Sequence, residues 1–296
     1  MNVWVTGARP RTLGAGVVPV LVGAAAADTF IPWRFVAALI VALGLQVGVN
    51  YANDFFDGIR GVDTPGRLGP PRLVASGAAS PRAVLVAALV AIGAAGFAGL
   101  ALALVTEPVL ILVVGALALV AAFAYSGGPR PYAGLGLGEV MVFLFFGLMA
   151  TCGTAFVMDE RVPSAAWWCG SVLGLLAVAI LVANNLRDIP TDAATGKRTL
   201  AVRLGVKRTR TFYRACVVAA FATIVVGVFA YLVDERIGLT QWSLLGLVGW
   251  VPAIRPMEAV GTSTGTELIG VLTGTAAVHA TTGALLAIGL ILARAA

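Results

Sequence analysis

The stretch Phe35–Asp57, FVAALIVALGLQVGVNYANDFFD, changes character as it runs. Its first part is apolar enough to cross a bilayer as a helix. Its end carries Asn50, Asn53, Asp54 and Asp57. If the helix persists, these four fall at i, i+3, i+4 and i+7 and share one face. Two carboxylates and two amides then point the same way at one end of a membrane helix.

The rest of the chain agrees with a membrane setting. Of its 296 residues, 59% are hydrophobic and 11% charged, against about 25% charged in a soluble domain. The 36 glycines and the many alanines suit close packing between membrane helices. Stretches long enough to cross occur at 12–28, 35–53, 83–105, 108–126, 138–158, 165–186, 212–233, 239–254 and 268–292. The expected fold is all-α: a polytopic membrane protein with nine transmembrane helices. The first stretch resembles a secretory signal, but the polar break Asp28–Arg34 leads straight into the next span, so it reads as a retained helix.

Basic residues divide unevenly between the two sides. Sixteen of the twenty lie with the N-terminus and alternate loops, while Arg34, Arg161, Arg236 and Arg294 lie opposite. By the positive-inside rule the first side is cytoplasmic. The formal net charge of +6 therefore reports membrane orientation and anionic ligands, with no nucleic acid among the partners. Cys152, Cys169 and Cys216 are odd in number, lack a Cys-x-x-Cys pair and read as buried hydrophobes.

Two cytoplasmic loops, about 58–82 and 193–211, are longer than simple connections require and follow acidic helix ends. They are expected to act as lids. The second acidic end holds Asn184, Asp188 and Asp192 at i, i+4 and i+8, with Pro190 threatening to end the helix before Asp192. Like charges on one face repel unless a cation neutralises them. Hard oxygen donors suit Mg2+, which is commonly held by one or two carboxylates plus substrate phosphates. No P-loop occurs, and Gly196-Lys197-Arg198-Thr199 matches only its tail. A metal-bridged diphosphate at a membrane helix end implies an isoprenoid tail among the spans. Mg2+ would take up charge on the leaving diphosphate, and aromatic faces would stabilise an allylic cation. Tyr51, Phe55, Phe56, Tyr125, Phe143, Phe145 and Phe146 are the aromatic candidates.

Asn53-Asp-Phe-Phe-Asp57 with Asp63, paired with Asp188-Ile-Pro-Thr-Asp192, resembles the two aspartate-rich motifs of the UbiA superfamily of intramembrane prenyltransferases. The blocks Ala8–Leu13, Arg72–Gly77, Tyr125–Tyr132, Gly138-Glu139 and Asn184–Gly205 resemble its naphthoate-prenylating branch in particular. The resemblance spans residues 8 to 205 and implies one prenyltransferase domain over 1–296. It implies that Asn53, Asp57, Asp188 and Asp192 hold Mg2+, with Asp54 and Asp63 assisting. Asp54, Asp57, Asp188 and Asp192 would then be the catalytic set. The implied reaction moves a polyprenyl group from polyprenyl diphosphate to 1,4-dihydroxy-2-naphthoate with decarboxylation, as in menaquinone biosynthesis. Other members of the superfamily prenylate 4-hydroxybenzoate, homogentisate or haem, and these acceptors are the alternative. Asn50, Asn53, Arg60, Arg72, Lys197 and Arg198 are expected around the diphosphate. Arg9 or Arg130 would meet the acceptor carboxylate. The enzyme would sit in the cell membrane with its N-terminus and site cytoplasmic.

The remaining polar residues are less telling. His279, the only histidine, reads as a neutral side chain hydrogen-bonded between helices. Glu139 either orients a lid arginine or favours a helix N-terminus. Arg9-Pro10 and Arg130-Pro131 each precede a span that leads towards an acidic helix end, which hints at an internal duplication. A secondary transporter shares such repeats, but its charges tend to lie near the bilayer midplane, not at helix ends on one side.

Overall fold

In the computed structural model, residues 2–61, 71–128 and 131–296 are described. Among them the regular structure is entirely helical. The short α1 (Val3–Ala8) turns at Arg9 into α2 (Pro10–Ala26), followed by α3 (Pro32–Ile59), α4 (Pro81–Ala103) and α5 (Pro108–Ala124). Each helix from α2 to α5 begins at a proline, whose fixed φ and missing N–H suit the first helical position. Next comes a composite rod of α6 (Gly138–Val142), a π-helical stretch (Phe143–Met149) and α7 (Ala150–Asp159). α8 (Ser164–Ala194), α9 (Leu200–Val233), a 3-10 stretch (Gln241–Gly249) leading into α10 (Trp250–Ala259), and α11 (Leu268–Ala295) complete the order.

Every apolar stretch read from the sequence falls on one of these segments. Among the described residues, six segments are long and apolar enough to cross a membrane: α3, α4, the α6–α7 rod, α8, α9, and Gly265–Ala295. The protein is a multi-pass helical membrane protein. α2 and α5 are apolar but have 17 residues each, or roughly 25 Å at 1.5 Å per residue, short of a hydrocarbon core of about 30 Å.

α8 is the central post, with two thirds of its apolar stretch buried. Cys169, Val172, Leu173, Leu176 and Ala179 pack inside one cluster with residues from α2, α7, α9 and α11. Gly147 of the π-helical stretch faces Gly170 and Gly174 of α8 so closely that a β-carbon there would collide with α8 backbone. Large apolar side chains such as Phe97, Leu104, Val109 and Val233 point outward, as lipid contact requires.

The end of the bundle away from the acidic clusters is fastened by polar ties. The Asp159 carboxylate accepts from the Asp28 amide and, at 3.0 Å, from the Thr29 amide. Arg34 donates to the carbonyls of Val157 at 2.8 Å and Val105 at 3.0 Å. The ends of α2, α3, α4 and α7 are thereby gathered at one rim.

Two expectations change. Pro190 does not end α8, which runs on to Ala194 and keeps Asp192 on the face of Asn184 and Asp188. The proline lies near the helix end, where Thr191 and Thr195 hydroxyls bond the carbonyls of Asp188, Thr191 and Asp192. Nor is 193–211 a loop: Thr199 caps a new helix at Val202, and only a kink at Gly205 (φ 71°) separates its first turn from the rest of α9. The described part of the other expected lid, 71–80, is a tight turn ending at the Ser80 cap of α4.

Candidate active site

α3 and α8 bring their acidic ends to the same end of the bundle, on either side of a cleft. α3 presents Asn50, Asn53 and Asp57, all buried, and α8 presents Asn184, Asp188 and Asp192, the two aspartates buried. Between them lies an apolar cavity of about 610 Å3, walled by α2 to α8 and carrying Arg9, Asn50, Asn53, Tyr125, Tyr132 and Asn184 among its lining residues. A smaller, more polar cavity of about 240 Å3 is lined by Asp57, Arg60, Ser126, Thr195 and Lys197, and again by Tyr125. Tyr125 thus stands at the boundary of both. Its ring meets Tyr132 edge to face at 5.4 Å. Burial, and then the neighbouring Tyr125, push the Tyr132 phenol upward, so it remains a neutral group.

Lys197, just past the second acidic end, reaches across to the first: its Nζ lies 3.5 Å from Asp57 Oδ2. This ion pair joins the two motifs. Arg60 donates to the Ser126 carbonyl at 2.7 Å and to the Gly128 carbonyl. The Ser126 hydroxyl donates to Asn53 Oδ1. The loop after α5 is therefore laced to α3 through the predicted site residues themselves. Asn50 donates to the Ala8 carbonyl at 3.0 Å, holding the junction where Arg9 adopts a left-handed conformation (φ 57°).

On α8, Arg187 pairs with its neighbour Asp188 through both carboxylate oxygens, at 2.7 and 2.8 Å. Glu139, buried at the start of α6, accepts from Asn185 at 3.0 Å. It steadies the second motif from the first turn of α6. Sequence reasoning missed this partnership and that of Arg187, because each depends on helix rotation.

Other expectations need correcting. Asp54 does not face the cavities: its oxygens accept from the backbone amides of Leu73 at 2.9 Å and Val74 at 3.0 Å. A carboxylate bonded to two amides anchors a turn, and here it ties the segment before α4 to α3. Arg72 opens that turn, and Arg198 is exposed beyond Lys197; neither is among the described lining of these two cavities. Of the aromatic candidates, Tyr125, Phe145 and Phe146 line the large cavity, whereas Tyr51, Phe55, Phe56 and Phe143 line neither. Tyr51 packs on Trp4 and donates to its carbonyl. Asp63 and Arg130 lie outside the described residues. His279 is buried, but neither ring nitrogen has a hydrogen-bond partner among the described residues. The cysteines are buried and free, as expected.

Among the described residues, no three carboxylate, imidazole or thiolate ligands cluster ready to hold a metal. The donor set is instead split between two facing helix ends and consists of oxygens. That fits Mg2+, which needs few protein ligands when phosphates and water complete its shell. It does not fit a structural transition-metal cage.

Fold and site define a class: a helical membrane protein with an apolar cavity and, adjoining it at Tyr125, a polar one that carries paired acidic and basic groups. The chain belongs to the UbiA prenyltransferase family, whose model matches residues 16–260. It is 45% identical over 273 residues to a 1,4-dihydroxy-2-naphthoate octaprenyltransferase of Mycobacterium tuberculosis, covering 91% of this chain and 90% of that protein. The enzyme of the same name from Escherichia coli is 37% identical over 221 residues, 72% of this chain and 71% of that one. The apo structure of a UbiA homolog from Aeropyrum pernix matches with a TM-score of 0.70 at 18% identity, covering 95% and 98% of the two chains. A UbiA homolog from Archaeoglobus fulgidus, bound to GPP and Mg2+, matches with a TM-score of 0.64 at 15% identity, covering 96% and 99%.

Proposed function

We propose that this protein transfers a polyprenyl group from polyprenyl diphosphate to 1,4-dihydroxy-2-naphthoate, with loss of carbon dioxide, in menaquinone biosynthesis. The observation that carries the reading is the Asp57–Lys197 pair on the wall of the smaller, polar cavity, which shares Tyr125 with the apolar cavity, so that a diphosphate and its tail have adjoining places. The similarity to naphthoate octaprenyltransferases supports the acceptor.

Asn53 and Asp57 on α3 and Asp188 and Asp192 on α8 would hold Mg2+, with Asp63 assisting. Bound there, the metal supplies Lewis-acid stabilisation of the leaving diphosphate. Lys197 and Arg60 line the diphosphate pocket and meet its oxygens. As the allylic carbon–oxygen bond breaks, its electron pair leaves with the diphosphate. The π faces of Tyr125, Phe145 and Phe146 line the cavity beside the cation that results. Arg9, also on the cavity wall, binds the acceptor carboxylate and places the electron-rich ring against that cation. A ring carbon supplies the electrons of the new carbon–carbon bond, and carbon dioxide departs. The apolar wall keeps out water, the competing nucleophile.

The chain acts as a single domain over 1–296. Its nine helical segments cross the cell membrane, the short α2 and α5 included, and the N-terminus and site face the cytoplasm, in line with the sixteen basic residues assigned to that side. Incubating purified protein with Mg2+, geranylgeranyl diphosphate and 1,4-dihydroxy-2-naphthoate should yield prenylated, decarboxylated product and carbon dioxide by mass spectrometry. Asp57→Ala and Asp188→Ala should each lose at least about 100-fold in turnover. Turnover with 4-hydroxybenzoate or homogentisate alone would discard the naphthoate assignment.

A further inference from the structure

Asp188 lines neither cavity, although Asn184, one turn earlier on α8, lines the larger. Among the described residues, its own neighbour covers it. Arg187 Nε lies 2.7 Å from Asp188 Oδ1, and Nη2 lies 2.8 Å from Oδ2 and 2.9 Å from Asn184 Oδ1. The two side chains are only 4% and 3% exposed. Adjacent residues on a helix do not face one another. The guanidinium therefore curls back to reach this carboxylate, and its fork takes both oxygens in the edge-on geometry that such pairs favour. The opposite acid is treated differently: Asp57 meets Lys197 through one 3.5 Å contact and stays on the wall of the smaller cavity. Asp57 keeps a place on a cavity wall beside its cation, whereas Asp188 is covered by its own.

From this we propose that Arg187 is a place-holding cation: it occupies the face of Asp188 that a divalent cation takes when the diphosphate arrives, so arginine and metal compete for one carboxylate. The inference rests on the proposed metal-dependent reading of the site. Burial explains why a place-holder is needed, because an unpaired carboxylate enclosed by protein is strongly unfavourable. It also explains the choice of arginine. Once displaced, the same planar fork matches a diphosphate oxygen pair, so the released charge has a partner as soon as substrate is present. The second motif thus stays neutralised while empty and accepts metal weakly until diphosphate comes with it.

Mn2+ titration followed by electron paramagnetic resonance reads this competition directly, without turnover. In purified protein lacking diphosphate, Arg187→Met should bind Mn2+ about tenfold or more tightly than wild type, the scale of charged hydrogen bonds no longer displaced. Arg187→Lys keeps the charge but cannot span both oxygens, and should tighten binding severalfold. It decides the matter if Arg187→Met does not fold. In an Asp188→Asn background, Arg187→Lys should change nothing. Affinity that is unchanged or weaker in the Arg187 variants, or a gain that persists without Asp188, overturns the proposal while leaving the metal site intact. Wild-type protein that binds no Mn2+ even with geranylgeranyl diphosphate overturns the metal-dependent reading, and this inference with it.

Discussion

Asp54 and Asp57, three residues apart on α3, have separate tasks. Asp57 lines the polar cavity opposite Lys197, whereas Asp54 binds the amides of Leu73 and Val74. Replacing Asp54 with alanine leaves both amides without their acceptor, at a cost of about 1–3 kcal/mol. The melting temperature of the detergent-solubilised protein should fall by several degrees, and proteolysis within 71–80 should quicken. Asp54→Asn retains one acceptor oxygen and should lie between. A melting temperature unmoved in both would remove Asp54 from its anchoring role. The spacing of Asn50, Asn53, Asp54 and Asp57 told that they lie close on one helix, and no more. What separates Asp54 from Asp57 is a turn 19 and 20 residues downstream, whose path no local pattern reveals. Arg187 escaped for a similar reason: in sequence it looks like one more positive-inside anchor.

At the scale of elements, hydrophobic length located each helix but not its internal breaks. The π-helical stretch Phe143–Met149 has no signature in composition, since it reflects how Gly147 settles against Gly170 and Gly174 of α8. Wider turns of this kind recur at functional sites, and here the stretch turns Phe145 and Phe146 toward the cavity. Gly147→Val would drive a side chain into α8 backbone, which cannot yield as a flexible side chain does. We expect a loss of about 1–3 kcal/mol, visible as a lower melting temperature in micelles. Gly153→Ala in the same rod meets nothing within 4 Å and should melt like wild type. Equal melting of the two variants would show that the contact between the π-helical stretch and α8 is looser than described. Pro190 misled in the other direction: the bias against helix before a proline is a preference and not a bar, and α8 carries its proline on to Ala194.

For the molecule as a whole, the membrane character, the helical class and the end at which the site lies were legible from hydropathy and acid placement. The cavity was not, because a void is a property of what several helices leave unfilled. Gly96 and Gly115 line it, and a β-carbon added at either meets nothing within 4 Å. Gly96→Phe or Gly115→Phe should therefore fold and fill part of the space. The ratio of kcat/KM for geranyl over geranylgeranyl diphosphate should rise about tenfold or more. A ratio left unchanged by both would place the prenyl tail outside this cavity. The two ends of the bundle are each secured by polar bonds, Asp159 and Arg34 at one and Asp54, Arg60 and Lys197 at the other, while the cavity wall between them is largely apolar. The protein is built like a drum laced at both hoops: its skin can bulge around tails of different girth while the hoops keep their shape. Tolerance for the tail and strictness about the headgroup then belong to different parts of one object.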